Sequence, residues 1–123
     1  MKRINVHEMT IKQLVERFIS LSLAQDQALL MDEFSKFNRL FGEMEALKQE
    51  LKKRPGDQRR ALFPLYAHPN AQVRLKAAKA TLAVAPRAAR DVLEAIKERR
   101  EFPQALDAGM TLGFLDDGTF KPT

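Results

Sequence analysis

The sequence contains no cysteine and no tryptophan, and only two histidines among its 123 residues. Without cysteine the chain forms no disulfide bond and offers no thiolate ligand, so nothing in it requires an oxidising compartment. His7 and His68 are far apart in the chain and do not belong to an HExxH motif, so they do not indicate a zinc site. We therefore predict a chain without a bound metal and without a disulfide framework.

Long apolar runs are also missing. No stretch approaches the ~20 apolar residues that a membrane-spanning helix needs. Polar residues such as Asn5, His7 and Lys12 interrupt the N-terminal segment, which argues against a signal peptide. Hydrophobic content of 45% and charged content of 30% are ordinary for a globular protein. We expect a single cytoplasmic domain over residues 1–123 that does not contact a membrane.

Motifs of catalysis and nucleotide binding are absent as well. The chain has no GxSxG nucleophile elbow, no GxGxxG fingerprint and no Walker loop. Asp116-Asp117-Gly118 resembles part of a calcium loop but lacks the remaining ligands, so a turn is the better interpretation. Carboxylates such as Glu43, Glu45 and Glu50 acquire acid–base roles only in three dimensions, which leaves an enzymatic alternative open. We predict a non-enzymatic protein without a cofactor.

Charge is distributed unevenly along the chain. The net charge is +5, but residues 48–100 alone carry fourteen lysines and arginines against five acidic residues, a net +9. Residues 1–47 are close to neutral, at −1, and residues 101–123 carry −3. This pattern predicts one positive face in the middle of the protein. The alternative is that these lysines and arginines only solvate exposed helix faces.

Apolar residues recur at helical spacing along most of the chain, which predicts an all-α fold. Thr10 and Asn70 are N-cap candidates, and Pro55-Gly56 and Pro86 are helix boundaries. The predicted helices are Ile11 to about Ala24, Asp32 to Lys53, Gln58 to Ala67, Ala71 to Ala85 and Arg87 to Arg100. Proline within the third of these should shorten or kink it.

Individual helices differ in how they should be buried. The second predicted helix has one apolar stripe that we expect in the core: Phe34, Phe37, Leu40, Phe41, Met44, Leu47 and Leu51. The fourth, Ala71 to Ala85, has two opposite apolar strips and should be covered on two sides, as in a layered stack. The fifth should bury Ala88, Val92, Ala95 and Ile96, and Leu93 is a further candidate for burial.

The two ends of the chain are less regular. Residues 1–9 should form an N-terminal arm. Residues 102–123 form an irregular tail with a short helix within Leu106 to Leu115, and the tail contains residues too apolar to leave in water: Met110, Leu112, Phe114, Leu115 and Phe120. We expect this tail to pack on the stack or against a second subunit, as a homodimer.

One segment resembles a HEAT or armadillo-type repeat. The pattern is Leu62-x-x-Leu65, then His68-Pro69-Asn70, Val73-Arg74, Ala77-Ala78 and Leu82. The resemblance implies a short right-handed α-α superhelix, in which Asn70 caps the second helix and Arg74 bonds a neighbouring turn as a structural brace.

The whole chain is also similar to a small bacterial family known only as a domain of unknown function. The matching features are Arg17-Phe18, Gln25-x-x-Ala28, Asn38-Arg39, Glu50-Leu51, the segment from His68 to Arg74, Phe102-Pro103 and Gly118-x-Phe120. This second resemblance implies no assigned activity.

These observations favour a protein-interaction module that presents a basic helical-repeat surface to a protein partner, and an acidic partner would suit the charge. The predicted surface consists of Arg59, Arg60, Arg74, Lys76, Lys79, Arg87 and Arg90. Two alternatives stay open. One is nucleic-acid binding through the same residues, although no reading motif is visible; the other is an immunity-type or adaptor protein.

Overall fold

The computed structural model describes residues 5–123, and over this range the chain is all-α without a β-strand. The predicted fold class is therefore confirmed. The bounds of the five α-helices are α1 Ile11–Leu30, α2 Phe34–Lys53, α3 Ala71–Thr81, α4 Pro86–Glu98 and α5 Gln104–Asp116. Two 3₁₀ helices span Val6–Glu8 and Gln58–Ala67.

The chain divides into two compact units, one ending at Ala61 and the other running from Leu62 to Thr123. The single domain expected over residues 1–123 stays a prediction. The expected N-terminal arm, residues 1–9, falls in part outside the described residues, because residues 1–4 are not described. Its second half contains the short 3₁₀ helix Val6–Glu8, which contacts α2.

The first unit is built on a helical hairpin in which α1 packs on α2. Thr10 starts α1 with a capping box: its Oγ1 accepts a hydrogen bond from the Gln13 amide at 3.1 Å, and the Gln13 side chain accepts one from the Thr10 amide at 2.8 Å. The helix continues past the predicted end near Ala24 to Leu30. Its core contacts come from both helices: Leu14, Phe18, Leu21, Leu40, Met44, Leu47 and Leu51 are buried.

The predicted aromatic stripe of α2 is only partly correct. Phe34 and Phe41 are exposed, although both were expected in the core. At 100° per residue they lie roughly 80–100° from the middle of the row formed by Leu40, Met44 and Leu51. The hairpin partner covers that row, so the two phenylalanines are left on the flank of the helix.

In the second unit each helix packs on the next, α3 on α4 and α4 on α5, with a smaller contact between α3 and α5. The core of this unit joins all three helices: Leu75, Ala78, Leu82, Ala89, Leu93, Ile96, Ala105, Ala108 and Leu112. Helix α3 is buried on more than the side that faces this core, because Val73 and Ala77 are also fully buried. That agrees with the two apolar strips predicted for it.

The structure corrects the predicted ends of α3 and α4. Helix α3 ends at Thr81 instead of Ala85, and Pro86 is the first residue of α4. Ala85 cannot continue α3, because the residue before a proline avoids helical geometry, and its φ of −146° and ψ of 65° are not helical. With this start, Ala89 faces the core in place of the predicted Ala88, which is exposed. Val92 and Ala95 are only partly buried.

Two other segments also differ from expectation. Residues 58–67, predicted as an α-helix with a proline inside, form a 3₁₀ helix instead. Pro64 has no amide hydrogen to donate, so a regular α-helical ladder cannot pass through it. The tail is less irregular than predicted, because Gln104–Asp116 is a regular helix that packs on α4.

Candidate interaction surface

Arg74, in the first turn of α3, is a structural brace in the second unit. Asn70 caps this helix by accepting hydrogen bonds from the amides of Gln72 and Val73 at 2.9 and 3.1 Å. The Arg74 side chain turns back over the cap, and its Nε donates to the carbonyl oxygen of His68 at 2.8 Å. The predicted bond from this arginine to a neighbouring turn is confirmed.

The same guanidinium also holds a carboxylate. Its Nη1 and Nη2 each donate to one oxygen of Glu101 at 2.7 Å. Both groups are largely shielded from water, and the guanidinium beside Glu101 lowers the pKa of that carboxyl below its usual value. Arg74 is therefore committed to an internal ion pair and is not free to contact an acidic partner.

Arg59 and Arg60, in the first unit, bond close to their own position in the chain. Arg59 is buried, and its Nε and Nη2 donate to the two carboxylate oxygens of Asp57 at 2.9 and 2.7 Å. This pair lowers the pKa of Asp57. Arg60 is exposed, and its Nη2 donates to the carbonyl oxygen of Gly56 at 2.8 Å. Of these two arginines, only Arg60 lies on the surface.

Acidic residues from the C-terminal part of the chain pair with two of the four remaining predicted basic residues, Lys79 and Arg90. Lys79 donates to Asp107 at 2.9 Å. Arg90 pairs with Glu94 at 3.0 Å and with Asp116 at 2.8 Å. Lys76 is half-buried, and Arg87 is exposed at the second position of α4.

The uneven charge of the sequence thus has a structural explanation. The net negative segment 101–123 supplies Glu101, Asp107 and Asp116, which pair with Arg74, Lys79 and Arg90 of the net positive segment. Much of the basic surface predicted from the sequence is consumed by ion pairs inside the second unit. The basic surface that remains exposed is smaller than the charge count suggests.

Helix α5 exposes an apolar surface that is separate from the predicted basic surface. Phe102, Leu106, Met110 and Phe114 leave 61%, 63%, 61% and 43% of their surface accessible. At 100° per residue the last three lie within an arc of roughly 80°. The opposite side of α5 holds the core residues Ala105, Ala108 and Leu112. Helix α5 is therefore apolar on both sides, and only one side is covered.

Gly113 lies beside this arc, roughly 20° outside it and one residue before Phe114. A Cβ placed on it would meet no atom within 4 Å, so the backbone is open to approach from outside. We call Phe102, Leu106, Met110, Gly113 and Phe114 together the α5 face. The sequence predicted that the tail was too apolar for water, but it singled out neither Phe102 nor Leu106. The signal that could have found the face is the spacing of four between its apolar members.

A second apolar patch lies in the first unit, at the turn between α1 and α2. Leu30, Met31 and Phe34 are exposed to 69%, 62% and 63%. Asp32 and Glu33 lie between them in sequence, and Asp32 adopts the left-handed conformation that ends α1, with φ 55°. This patch, which we call the hairpin tip, is shorter than the α5 face.

The described part of the chain has neither a cluster of metal ligands nor a membrane-spanning helix. Over residues 5–123 no three histidine, aspartate or glutamate side chains come together as metal ligands would. Within the same range no helix combines the length and the apolar character needed to cross a bilayer.

The fold is that of a small all-α protein with capped helices, internal ion pairs and one uncovered helix face. The chain belongs to the family DUF2019, described as a domain of unknown function, whose profile matches residues 12–116. The resemblance to a domain-of-unknown-function family is thereby confirmed.

A solved structure agrees with this assignment. The crystal structure of the protein RPA1889 from Rhodopseudomonas palustris CGA009 is 56% identical to this chain, with a TM-score of 0.94. The match covers 98% of this chain and 100% of the other. No curated protein matches the chain.

Proposed function

We propose that this chain is a non-enzymatic protein-interaction module whose docking surface is the α5 face. One observation carries the proposal: Leu106, Met110 and Phe114 are exposed along one side of a well-formed helix, and Phe102 is exposed just before that helix begins. At roughly 200 Å² for a fully exposed large side chain, the four leave about 450 Å² of apolar surface in water. Patches of that size on a small protein commonly mark interaction sites.

Because the internal ion pairs occupy several of the basic residues, we place the proposed contact on the apolar residues of α5. Arg74, Lys79 and Arg90 each already hold a carboxylate of the second unit. A protein that binds nucleic acid needs cations free to replace the counterions of phosphates. A partner with an apolar surface gains more binding free energy here than a nucleic acid does, because covering Leu106 and Met110 removes apolar area from water.

We also propose that the second unit is a HEAT-like repeat within a short superhelix. Asn70 caps α3, Arg74 bonds the preceding turn, and α3 is buried on two sides. Repeat proteins of this kind act by presenting a surface to another macromolecule. An immunity-type or adaptor role is one version of such a function.

The test compares two matched leucines. Leu106 on α5 and Leu30 at the hairpin tip are exposed to 63% and 69%. Tagged wild type, Leu106→Glu and Leu30→Glu are used to capture partners from cells of the native host. We expect the proteins captured by wild type to be retained by Leu30→Glu and lost by Leu106→Glu.

The opposite result would place the contact at the hairpin tip and overturn the proposal. Retention of the wild-type protein on DNA or RNA at low salt, lost on raising the salt and reduced by Arg87→Glu, would instead favour the nucleic-acid alternative.

A further inference from the structure

We infer that a second copy of this chain covers the α5 face, with the two α5 helices antiparallel about a two-fold axis close to Met110. The inference rests on the proposed function, because it names the partner of the same surface. Three features of the described residues support it: the charges at the two ends of the face, the open backbone at Gly113 beside it, and its area.

The two ends of the α5 face carry opposite charges. Arg99 and Arg100 lie three and two residues before Phe102, and both are exposed; Glu101 between them and Phe102 is held by Arg74. At the other end Asp117 is exposed, and Asp116 beside it is exposed as well but pairs with Arg90 of its own copy. An antiparallel pair brings the basic end of each copy to the acidic end of the other, whereas a parallel pair brings like charges together.

The helix dipole adds to this preference. The N-terminal end of α5 carries a partial positive charge and the C-terminal end a partial negative one. Two antiparallel helices therefore place unlike ends together, at both ends of the contact. Two-fold symmetry repeats the same favourable contact twice, which is the commonest arrangement of homodimers.

The spacing of the face suits two antiparallel helices, and Gly113 leaves room for them to approach. Met110 lies four residues after Leu106 and four before Phe114, so an antiparallel pair centred on it sets Leu106 of one copy near Phe114 of the other. The distance from Leu106 to Phe114 along the axis is about 12 Å, at 1.5 Å per residue. Gly113, with no atom within 4 Å of its Cβ position, adds no side chain that would hold the helices apart.

The exposed area suits a weak, reversible dimer. Covering the α5 face on both copies removes about 900 Å² of apolar surface from water, at roughly 200 Å² per large side chain. With the flanking charged residues, the total reaches the lower end of the roughly 1,200–2,000 Å² found in specific interfaces. Interfaces at the low end of this range are typical of weak, transient encounters, and we expect dissociation on the order of micromolar concentration.

The first experiment measures the mass of the purified full-length chain by sedimentation equilibrium. At about 100 μM, well above micromolar dissociation, we expect a mass near twice 14.0 kDa for wild type and for the matched control Leu30→Glu. Leu106→Glu and Met110→Glu should weaken the dimer at least about 100-fold and sediment as monomers. Helix content from circular dichroism establishes that each variant is folded. A monomeric wild type, or a dimer lost in Leu30→Glu but kept in Leu106→Glu, would overturn the inference.

The second experiment determines the direction of the pairing. The chain has no cysteine, so a single introduced thiol reports on one position only. When Leu106→Cys and Phe114→Cys chains are mixed and oxidised, an antiparallel pair gives mostly the mixed 106–114 product, and Met110→Cys cross-links to itself. Leu30→Cys should remain uncross-linked. A predominance of 106–106 and 114–114 products means a parallel pair and contradicts the inference.

Failure of this inference can be told apart from failure of the proposed function. If the purified chain is monomeric, but Leu106→Glu alone loses a captured host protein, the α5 face binds a different protein and only the self-pairing is wrong. If the purified chain is monomeric and Leu106→Glu captures the same proteins as wild type, both are wrong.

Discussion

Arg74 and Glu101 stand 27 residues apart in the chain and meet in two parallel hydrogen bonds, each 2.7 Å long. The pair joins the start of α3 to the segment between α4 and α5. Because the same guanidinium also donates to the carbonyl oxygens of His68 and Pro69, one side chain fixes three chain segments of the second unit.

Removing the guanidinium should destabilise the protein strongly. Arg74→Met leaves the largely buried Glu101 carboxylate and two backbone carbonyls without this donor, and we expect a loss of about 2–4 kcal/mol in the free energy of unfolding. Urea denaturation followed by circular dichroism measures it. The control is Arg90→Met, which breaks two more exposed pairs, with Glu94 and Asp116, and should cost less than about 1 kcal/mol. Equal losses in the two variants would argue against the bracing role.

Glu50 should make the stability depend on pH in the acid range. Hydrogen bonds from Arg54, His7 and Lys53 lower the pKa of this carboxyl from 4.5 to about 2 in the folded protein. The folded value lies below the unfolded one, so the stabilising contribution is complete above pH 4.5 and is lost as the pH falls towards 2. In Glu50→Gln this fall should be smaller when urea midpoints are compared across that range. Parallel curves for wild type and variant would contradict the assignment.

Asn70 should contribute as a helix cap. Asn70→Ala removes the acceptor for the amides of Gln72 and Val73, and we expect a loss of about 1–2 kcal/mol. Asn70→Asp should retain most of the stability, since aspartate caps equally well. The measurement is thermal or urea unfolding of the three proteins. A large loss in the aspartate variant would mean that a feature other than capping is required there.

Two glycines should respond in opposite directions to alanine. Gly113 lies inside α5 with open space at its Cβ position, so Gly113→Ala should stabilise the dilute protein by about 0.5–1 kcal/mol through helix propensity. Gly56 has φ +82°, a conformation that alanine adopts only with strain, so Gly56→Ala should cost about 1 kcal/mol or more. Melting temperatures at low protein concentration report both effects. Destabilisation by Gly113→Ala would mean that the site is not open.

The features that were predicted correctly depend on residues close together in sequence. Thr10 and Asn70 cap amides two or three residues ahead, and Pro86 restricts only its immediate neighbours. The partner of Arg74 could not be predicted, because Glu101 meets it only after α3, α4 and α5 have packed. The basic surface was overestimated for the same reason: its carboxylate partners Asp107 and Asp116 are distant in sequence.

Helical periodicity showed where apolar residues recur, but it predicted less reliably whether each of them is buried or exposed. It placed Phe34 in the core, but the angular position of a residue decides burial only once the partner helix is known. On α5 it indicated that the tail was too apolar for water. Only the packing of α5 on α4 shows that one apolar side of α5 is buried and that Leu106 and Met110 lie on its other, exposed side.

The packing of helix on neighbouring helix has a kinetic consequence. Helix α1 meets α2, α3 meets α4, and α4 meets α5, each across a short connection. Little loop entropy is lost when such contacts form, and chains dominated by them fold in microseconds to milliseconds. Each hairpin can form during synthesis as soon as its second helix has been made, so apolar residues of the core spend little time exposed to other unfinished chains.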